Sequence, residues 1–199
     1  MHLLTATDIE LWEAFRQGDR QAYTILMERH YRPLYSYGTK LVFDKELVKD
    51  CIQEVFLELW HRRVAIGSAE SPRFYMLRAL QRKIHRAIHR NRLLYNAEII
   101  NPDTSFSVEF SIEADLISRQ EQAEKARQLA ALVETLSPRQ KQLIYLRFYQ
   151  DLDFDEIAEL MQLNRQSVYN LLRESLLRLR KNWQGTLLPA LVALLEANA

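Results

Sequence analysis

An all-α fold, two helical modules joined by a flexible acidic linker, is what this sequence predicts. Three observations carry the prediction. Only four glycines and five prolines occur in 199 residues, and these are the poorest helix formers, so helices are favoured over loops and sheets. Apolar residues recur at helical spacing along most of the chain, and strand-like alternation persists nowhere. Helix starts are marked by side chains able to satisfy the free N–H groups of a first turn.

The elements follow in order. Thr7-Asp8-Ile9-Glu10 is a capping box that opens a first helix. Asp19 caps a second, with Ala22, Tyr23, Leu26, Met27, His30 and Tyr31 at helical spacing. Pro33 is expected to bend or interrupt it, because proline has no N–H to donate. Asp44 opens a third, with Leu47, Val48, Cys51, Ile52, Val55, Phe56, Leu59 and Trp60 on one face. The loop HRRVAIGSAE follows. Ser71-Pro72 then starts a helix, serine as N-cap and proline in the first turn, expected to run to about Asn91. Residues 93–118 carry Pro102, scattered serines and acids only: Glu98, Asp103, Glu109, Glu113 and Asp115. They read as the linker, turning helical near Ile112. Ser137-Pro138 begins a further helix, and Asp153-Phe154-Asp155-Glu156 is a second capping box. The domains expected are 8–92, the linker 93–118, 119–183, and an apolar tail 184–199.

Bulk composition narrows the function classes. Hydrophobic residues make up 48% and charged residues 27%, which indicates neither a disordered nor a membrane-embedded chain. The start of the chain lacks the basic and apolar runs of a signal peptide. The stretch LLPALVALL is too short to span a bilayer and contains Pro189. Cys51 is the one cysteine, so no internal disulfide can form, which fits a reducing, cytoplasmic location. A formal net charge of +1 says nothing for nucleic acid; the distribution of charge does. From Arg73 to Arg92 there are seven Lys or Arg and two His, with no acid, and the acidic linker follows directly.

The segment DEIAELMQLNRQSVYNLLRESLLRLRK reads as a helix–turn–helix. Ile157, Ala158 and Met161 form the inner face of its first helix, Leu163 plugs the turn, and Asn164 caps the second helix. Val168, Leu171, Leu172 and Leu176 bury the inner side of that second helix. Arg165, Gln166, Tyr169, Asn170 and Arg173 face outward from the half that enters a major groove in such motifs. Arginine pairs with guanine, and Gln or Asn with adenine. Arg178, further along, suits phosphate contact. Gln162 occupies the turn position where glycine is common, so a left-handed backbone there carries an energetic cost.

Other chemistries lack support. His85 and His89 lie four residues apart on a helix, a spacing that can bind zinc, but no third ligand is evident. No Gly-rich phosphate loop and no nucleophile–base arrangement is found. No metal, no cofactor and no enzyme activity is expected.

The stretch LSPRQKQLIYLRFYQDLDFDEIAELMQLNRQSVYNLLRESLLRLRK resembles region 4 of bacterial sigma factors of the extracytoplasmic-function (ECF) group of the sigma-70 family. The N-terminal half is similar too. GDRQAYTILMERHYRPLYSYGTKL resembles region 2.1, DKELVKDCIQEVFLELW region 2.2, and SPRFYMLRALQRKIHRAIHRNR regions 2.3–2.4. Two modules matched in family order are far more specific than one helix–turn–helix. The Tyr- and Asn-containing recognition helix is similar to those of Bacteroidetes members.

The resemblance implies a promoter-specificity subunit of RNA polymerase. Asp50, Gln53, Glu54 and Leu57 would meet the β′ clamp helices, and the C-terminal module the β flap. Arg62, Arg63, Phe74, Tyr75, Arg78, Arg82, Lys83 and Arg86 would hold and melt the −10 element. Arg165, Gln166, Tyr169, Asn170, Arg173 and Arg178 would read the −35 element of promoter DNA. A monomer is implied, held inactive by an anti-sigma factor at the membrane. Arg82 stands where the family often has Asn, and Tyr169, Leu171 and Glu174 where it commonly has Lys or Arg. A free-standing regulator, or a degenerate module that only binds an anti-sigma factor, are the alternatives.

Overall fold

The computed structural model describes residues 5–95, 106 and 131–182. All regular structure among them is helical. The chain divides into two compact units, Met1–Ser105 and Phe106–Ala199.

Among the described residues, the first unit holds four helices: α1 (Asp8–Arg16), α2 (Arg20–Leu41), α3 (Lys45–Arg62) and α4 (Pro72–Tyr95). Each of the first three starts at the cap its sequence predicts. Thr7 and Glu10 bond each other's backbone N–H groups in a full capping box. Asp19 accepts from the N–H groups of Gln21 and Ala22, and Asp44 from those of Glu46 and Leu47. Ser71 Oγ accepts from the Phe74 N–H at 3.3 Å and opens α4. That helix extends to Tyr95, so it runs past Asn91 and takes in the first residues assigned to the linker.

Pro33 does not interrupt α2, which is continuous from Arg20 to Leu41. Proline in a helix interior costs about 3 kcal/mol. Here the helix is buried on both sides of it, through Ile25, Leu26 and His30 before and Leu34, Tyr37, Gly38 and Leu41 after. Anchorage of both halves in one core outweighs the lost hydrogen bond.

α2 lies against α1, α3 and α4, and α3 against α4. Trp12, Phe15, Leu34, Tyr37, Ile52, Met76, Leu77, Leu80 and Ile84 are fully buried between them. The closest approach is at Gly38, where an added Cβ would lie 2.6 Å from Val48 Cγ1 and 3.4 Å from Ile84 Cδ1. Cys51 sits in this interior, as its helix face predicts, and burial raises its thiol pKa.

The second unit holds α5 (Pro138–Phe148), α6 (Phe154–Met161) and α7 (Arg165–Asn182). Ser137 and Gln140 form a capping box at α5, and Asp153 and Glu156 another at α6. Both α5 and α6 lie against α7. The core is Leu143, Leu146, Ile157, Leu160, Val168, Leu172, Leu176 and Leu179. Phe106, in the middle of the expected linker, is only 2% exposed and packs with its ring centroid 5.8 Å from that of Tyr145. The expected helical turn near Ile112 and the tail 184–199 lie outside the described residues.

Candidate nucleic-acid and polymerase interfaces

In the second unit, α6 and α7 form the helix–turn–helix. Gln162 ends α6 in the left-handed conformation at φ 53°, the backbone that glycine adopts at least cost. The Leu163 N–H bonds back to the Ala158 carbonyl at 2.8 Å, and Asn164 Oδ1 accepts from the Ser167 N–H at 2.7 Å. These bonds fix the angle at which α7 leaves the turn. Arg165, Gln166, Asn170, Arg173 and Arg178 are exposed. Tyr169 differs: it is half-buried, its ring 4.2 Å from that of Phe154. Arg165 Nη1 donates to Asp155 Oδ2 at 2.9 Å and Nη2 to the Tyr169 hydroxyl at 3.4 Å. Those two contacts, Tyr169 first, raise the Arg165 pKa further. Gln166 Nε2 donates to Asn170 Oδ1 at 3.2 Å. The outward row is thus two coupled pairs at i, i+4 spacing followed by Arg173 and Arg178.

In the first unit, the outer face of α3 carries Asp50, Gln53, Glu54, Leu57 and Glu58, all exposed. Leu57, at 56% exposure, stands among these polar and acidic side chains. Glu54 is not wholly available. Lys83 Nζ reaches from α4 to Glu54 Oε2 and Glu58 Oε2, both at 3.1 Å, and Arg62 bonds Glu58 at 3.0 Å. Burial alone would lower the Lys83 pKa, but the bonds from Glu58 and Glu54 raise it. The Glu58 carboxyl is held low by Lys83 and Arg62. Lys83 therefore does not join the arginine row of α4; its side chain is 16% exposed and tied to α3.

That row consists of Arg82, Arg86 and Arg90, all exposed, with Arg78 half-buried above them. At the start of the helix Phe74 is half-buried, and Tyr75 is exposed with its ring 5.1 Å from that of Trp12. The loop before α4 is anchored from a place the sequence gives no hint of. Trp12 Nε1 donates to the Gly67 carbonyl at 3.2 Å and Arg16 Nε to the Ile66 carbonyl at 2.7 Å. Both donors come from α1, some fifty residues away in sequence. Arg63 Nη1 bonds the Trp60 carbonyl, its guanidinium 4.5 Å from the Trp60 ring centroid. Ile66 is buried as a pin while Val64, at 83% exposure, stands at the tip. Trp12 and Arg16 share one helix face at i, i+4. That spacing is readable in the sequence, but not what the pair holds.

Residues 26–93 match the family model for Sigma-70 region 2, and residues 126–179 the model for Sigma-70, region 4. The matches take in both units and more than half of the chain. This chain belongs to the sigma-70 family. Its two modules are those of the ECF type, and its role is that of a sigma factor in transcription initiation. No curated protein sequence matches the chain. Solved structures with a similar fold include CnrH, in complex with the cytosolic domain of CnrY, at 17% identity and a TM-score of 0.54 over 96% of this chain and 99% of that one. Another is the sigma factor RpoE in complex with the anti-sigma factor NepR from Bartonella quintana, at 13% identity and a TM-score of 0.55 over 81% and 96%. No helix among the described residues of this sigma factor is long and apolar enough to cross a membrane.

Proposed function

We propose that this sigma factor docks on core RNA polymerase through the α3 face of Asp50, Gln53, Glu54 and Leu57, with the β′ clamp helices as partner. The second unit then meets the β flap and places α7 on the −35 element. Arg82 and Arg86, with Arg62, Arg63, Phe74 and Tyr75, hold the opened −10 strand. Single-stranded DNA binds where cations track the backbone and aromatic faces accept bases, and α4 begins with aromatics and continues as an arginine row. The observation that supports this most is the pairing of two oppositely charged rows on one small unit: acids around an exposed leucine on α3, and arginines on α4. The function is non-enzymatic and cytoplasmic. Two weak DNA contacts, one per unit, gain affinity by being carried on one polymerase. We further infer that an anti-sigma factor, itself linked to the membrane, restrains the free protein; what supports this is that RpoE was solved in complex with the anti-sigma factor NepR, and CnrH in complex with the cytosolic domain of CnrY.

The test is binding of the purified protein to core polymerase at fixed physiological salt. One-to-one binding, weakened at least about tenfold by Asp50→Lys, is expected, because a reversed charge in a docking patch costs well over 1.4 kcal/mol. Asp50 is the better site than Glu54, whose reversal also breaks the Lys83 bond. A dimer that binds duplex DNA unaided and ignores polymerase would instead be a free-standing regulator.

A further inference from the structure

The Arg165 guanidinium is held on several sides. Asp155 Oδ2 lies 2.9 Å from Nη1, the Tyr169 hydroxyl 3.4 Å from Nη2, and the Tyr169 ring centroid 5.8 Å from Cζ. The supports are themselves held. Tyr169 rests on Phe154 at 4.2 Å between ring centroids, and the Arg147 guanidinium lies 5.1 Å from the Phe154 ring centroid. Arg147 Nη1 is in turn bonded to the Leu152 carbonyl at 2.9 Å. Arg165 is also the first residue of α7, at the end of a recognition helix that reaches base edges.

Charge decides what such an arginine can bind. A phosphate is drawn by net positive charge, and a carboxylate in contact with the guanidinium cancels most of it at a distance. The N–H donors are not cancelled. Arginine has five of them in a rigid fork, and Asp155 and Tyr169 engage one on each terminal nitrogen. The rest can meet a neutral base edge that offers two acceptors side by side. In the major groove that edge is guanine N7 and O6. Adenine puts an N–H donor at the second place, and the pair would clash donor to donor. Among the described residues, Arg173 and Arg178 form no ion pair, although Glu174 adjoins Arg173 in the sequence, and so they suit phosphate.

We infer that Asp155 is a positioning residue that converts Arg165 from a phosphate anchor into a reader of one guanine in the −35 element, with Tyr169 fixing the plane of the fork. The inference rests on the promoter-binding role proposed above and deepens it by naming the base. It also assigns Asp155 a task beyond the first turn of α6.

The test uses the full-length protein assembled with core polymerase of its own host, and a duplex library randomised upstream of the transcription start. Sequencing the bound fraction of the wild type should show one upstream position with a guanine preference of about five- to 150-fold over other bases. Arg165→Ala should erase the preference at that position alone. Asp155→Asn should erase most of it while leaving preferences elsewhere and the melting temperature near wild type. Asp155→Glu should restore part of it, and Arg165→Lys should not, because lysine lacks the fork. A purely structural Asp155 would change all positions together. Two results overturn the inference with the sigma role intact: Arg165→Ala weakening every sequence alike with a shallower salt dependence, as a phosphate contact would, or Asp155→Asn tightening binding to every sequence, as removal of a mere competitor would. If the wild type selects no sequence and binds no core polymerase, the promoter-binding role fails and this reading falls with it.

Discussion

The two basic helices of this protein, α4 and α7, present their cations in opposite ways. α4 lies in the sequence stretch richest in Lys and Arg, and its neighbours engage or partly bury some of these. Lys83 is clamped between Glu54 and Glu58, and Arg78 is half-buried. What remains is a clean row of Arg82, Arg86 and Arg90. α7 is less basic, but its first arginine is mounted on a carboxylate and a tyrosine. The lesson, given the binding roles proposed above, is that the number of cations need not set the mode of nucleic-acid binding. An uncompensated row follows a backbone whatever its sequence, and a compensated, fixed fork reads a base.

The comparison can be broken most directly at the arginine row. Replacing Arg82 and Arg86 together by Ala should weaken binding of holoenzyme to single-stranded −10 DNA whatever its sequence. It should also make the salt dependence shallower, by about 0.7 in the log–log slope for each phosphate that is no longer neutralised. A change in base preference with an unchanged slope would show the row to be a reader instead. Next in size is Gly38→Ala. The new methyl would meet Val48 and Ile84 beneath α4. Overpacking of this kind costs about 1–3 kcal/mol, against a helix-propensity gain of about 1 kcal/mol. Chemical denaturation should therefore show a net loss of up to about 2 kcal/mol.

Lys83→Gln sharpens the same contrast from the other side. If Lys83 is an internal strut, the substitution lowers stability by about 1 kcal/mol or less, discounted because both glutamates are open to solvent. The salt slope for single-stranded DNA would not move. A shallower slope would return Lys83 to the DNA-binding row. In the second unit, Gln162→Gly should raise stability by up to about 1 kcal/mol, since left-handed backbone costs a non-glycine residue about 1–2 kcal/mol and glycine returns part of that gain through its unfolded-state entropy. Urea midpoints of the two proteins measure it.

The smallest effect concerns pH. Burial pushes the His30 pKa below its ordinary value of 6.5, against the raising pull of Asp8. The unfolded chain then takes up a proton that the folded chain resists. Its stabilising contribution is full above about pH 6.5 and is lost as pH falls through the lowered folded value. Thermal midpoints at pH 7.5 and 5.5 should differ in that sense, and less so in a His30→Gln variant.

Much of this is legible in the sequence. The caps at Thr7, Asp19, Asp44, Ser137 and Asp153 act locally, through bonds to residues two or three places on. Local sequence is sufficient to place them. Periodicity likewise sorts Val48, Ile52, Val55 and Phe56 inward and Asp50, Gln53 and Leu57 outward. Sequence reasoning fails where distant residues meet. Pro33 does not interrupt α2, because both halves of that helix are held in one core. Phe106 falls in the expected linker, yet it is buried against Tyr145. Trp12 and Arg16 give no sign that they bond the loop before α4.

By itself, then, the amino-acid sequence determined the helices, their starts, the two-module order and the family, because each depends on short-range spacing or on a pattern carried along the chain. Only the tertiary structure decided which charges are available. An ion pair forms wherever folding brings two side chains within about 4 Å, and sequence spacing does not report that distance. Lys83 was drawn in by α3, and Arg165 was mounted on Asp155, ten residues before it and on the preceding helix.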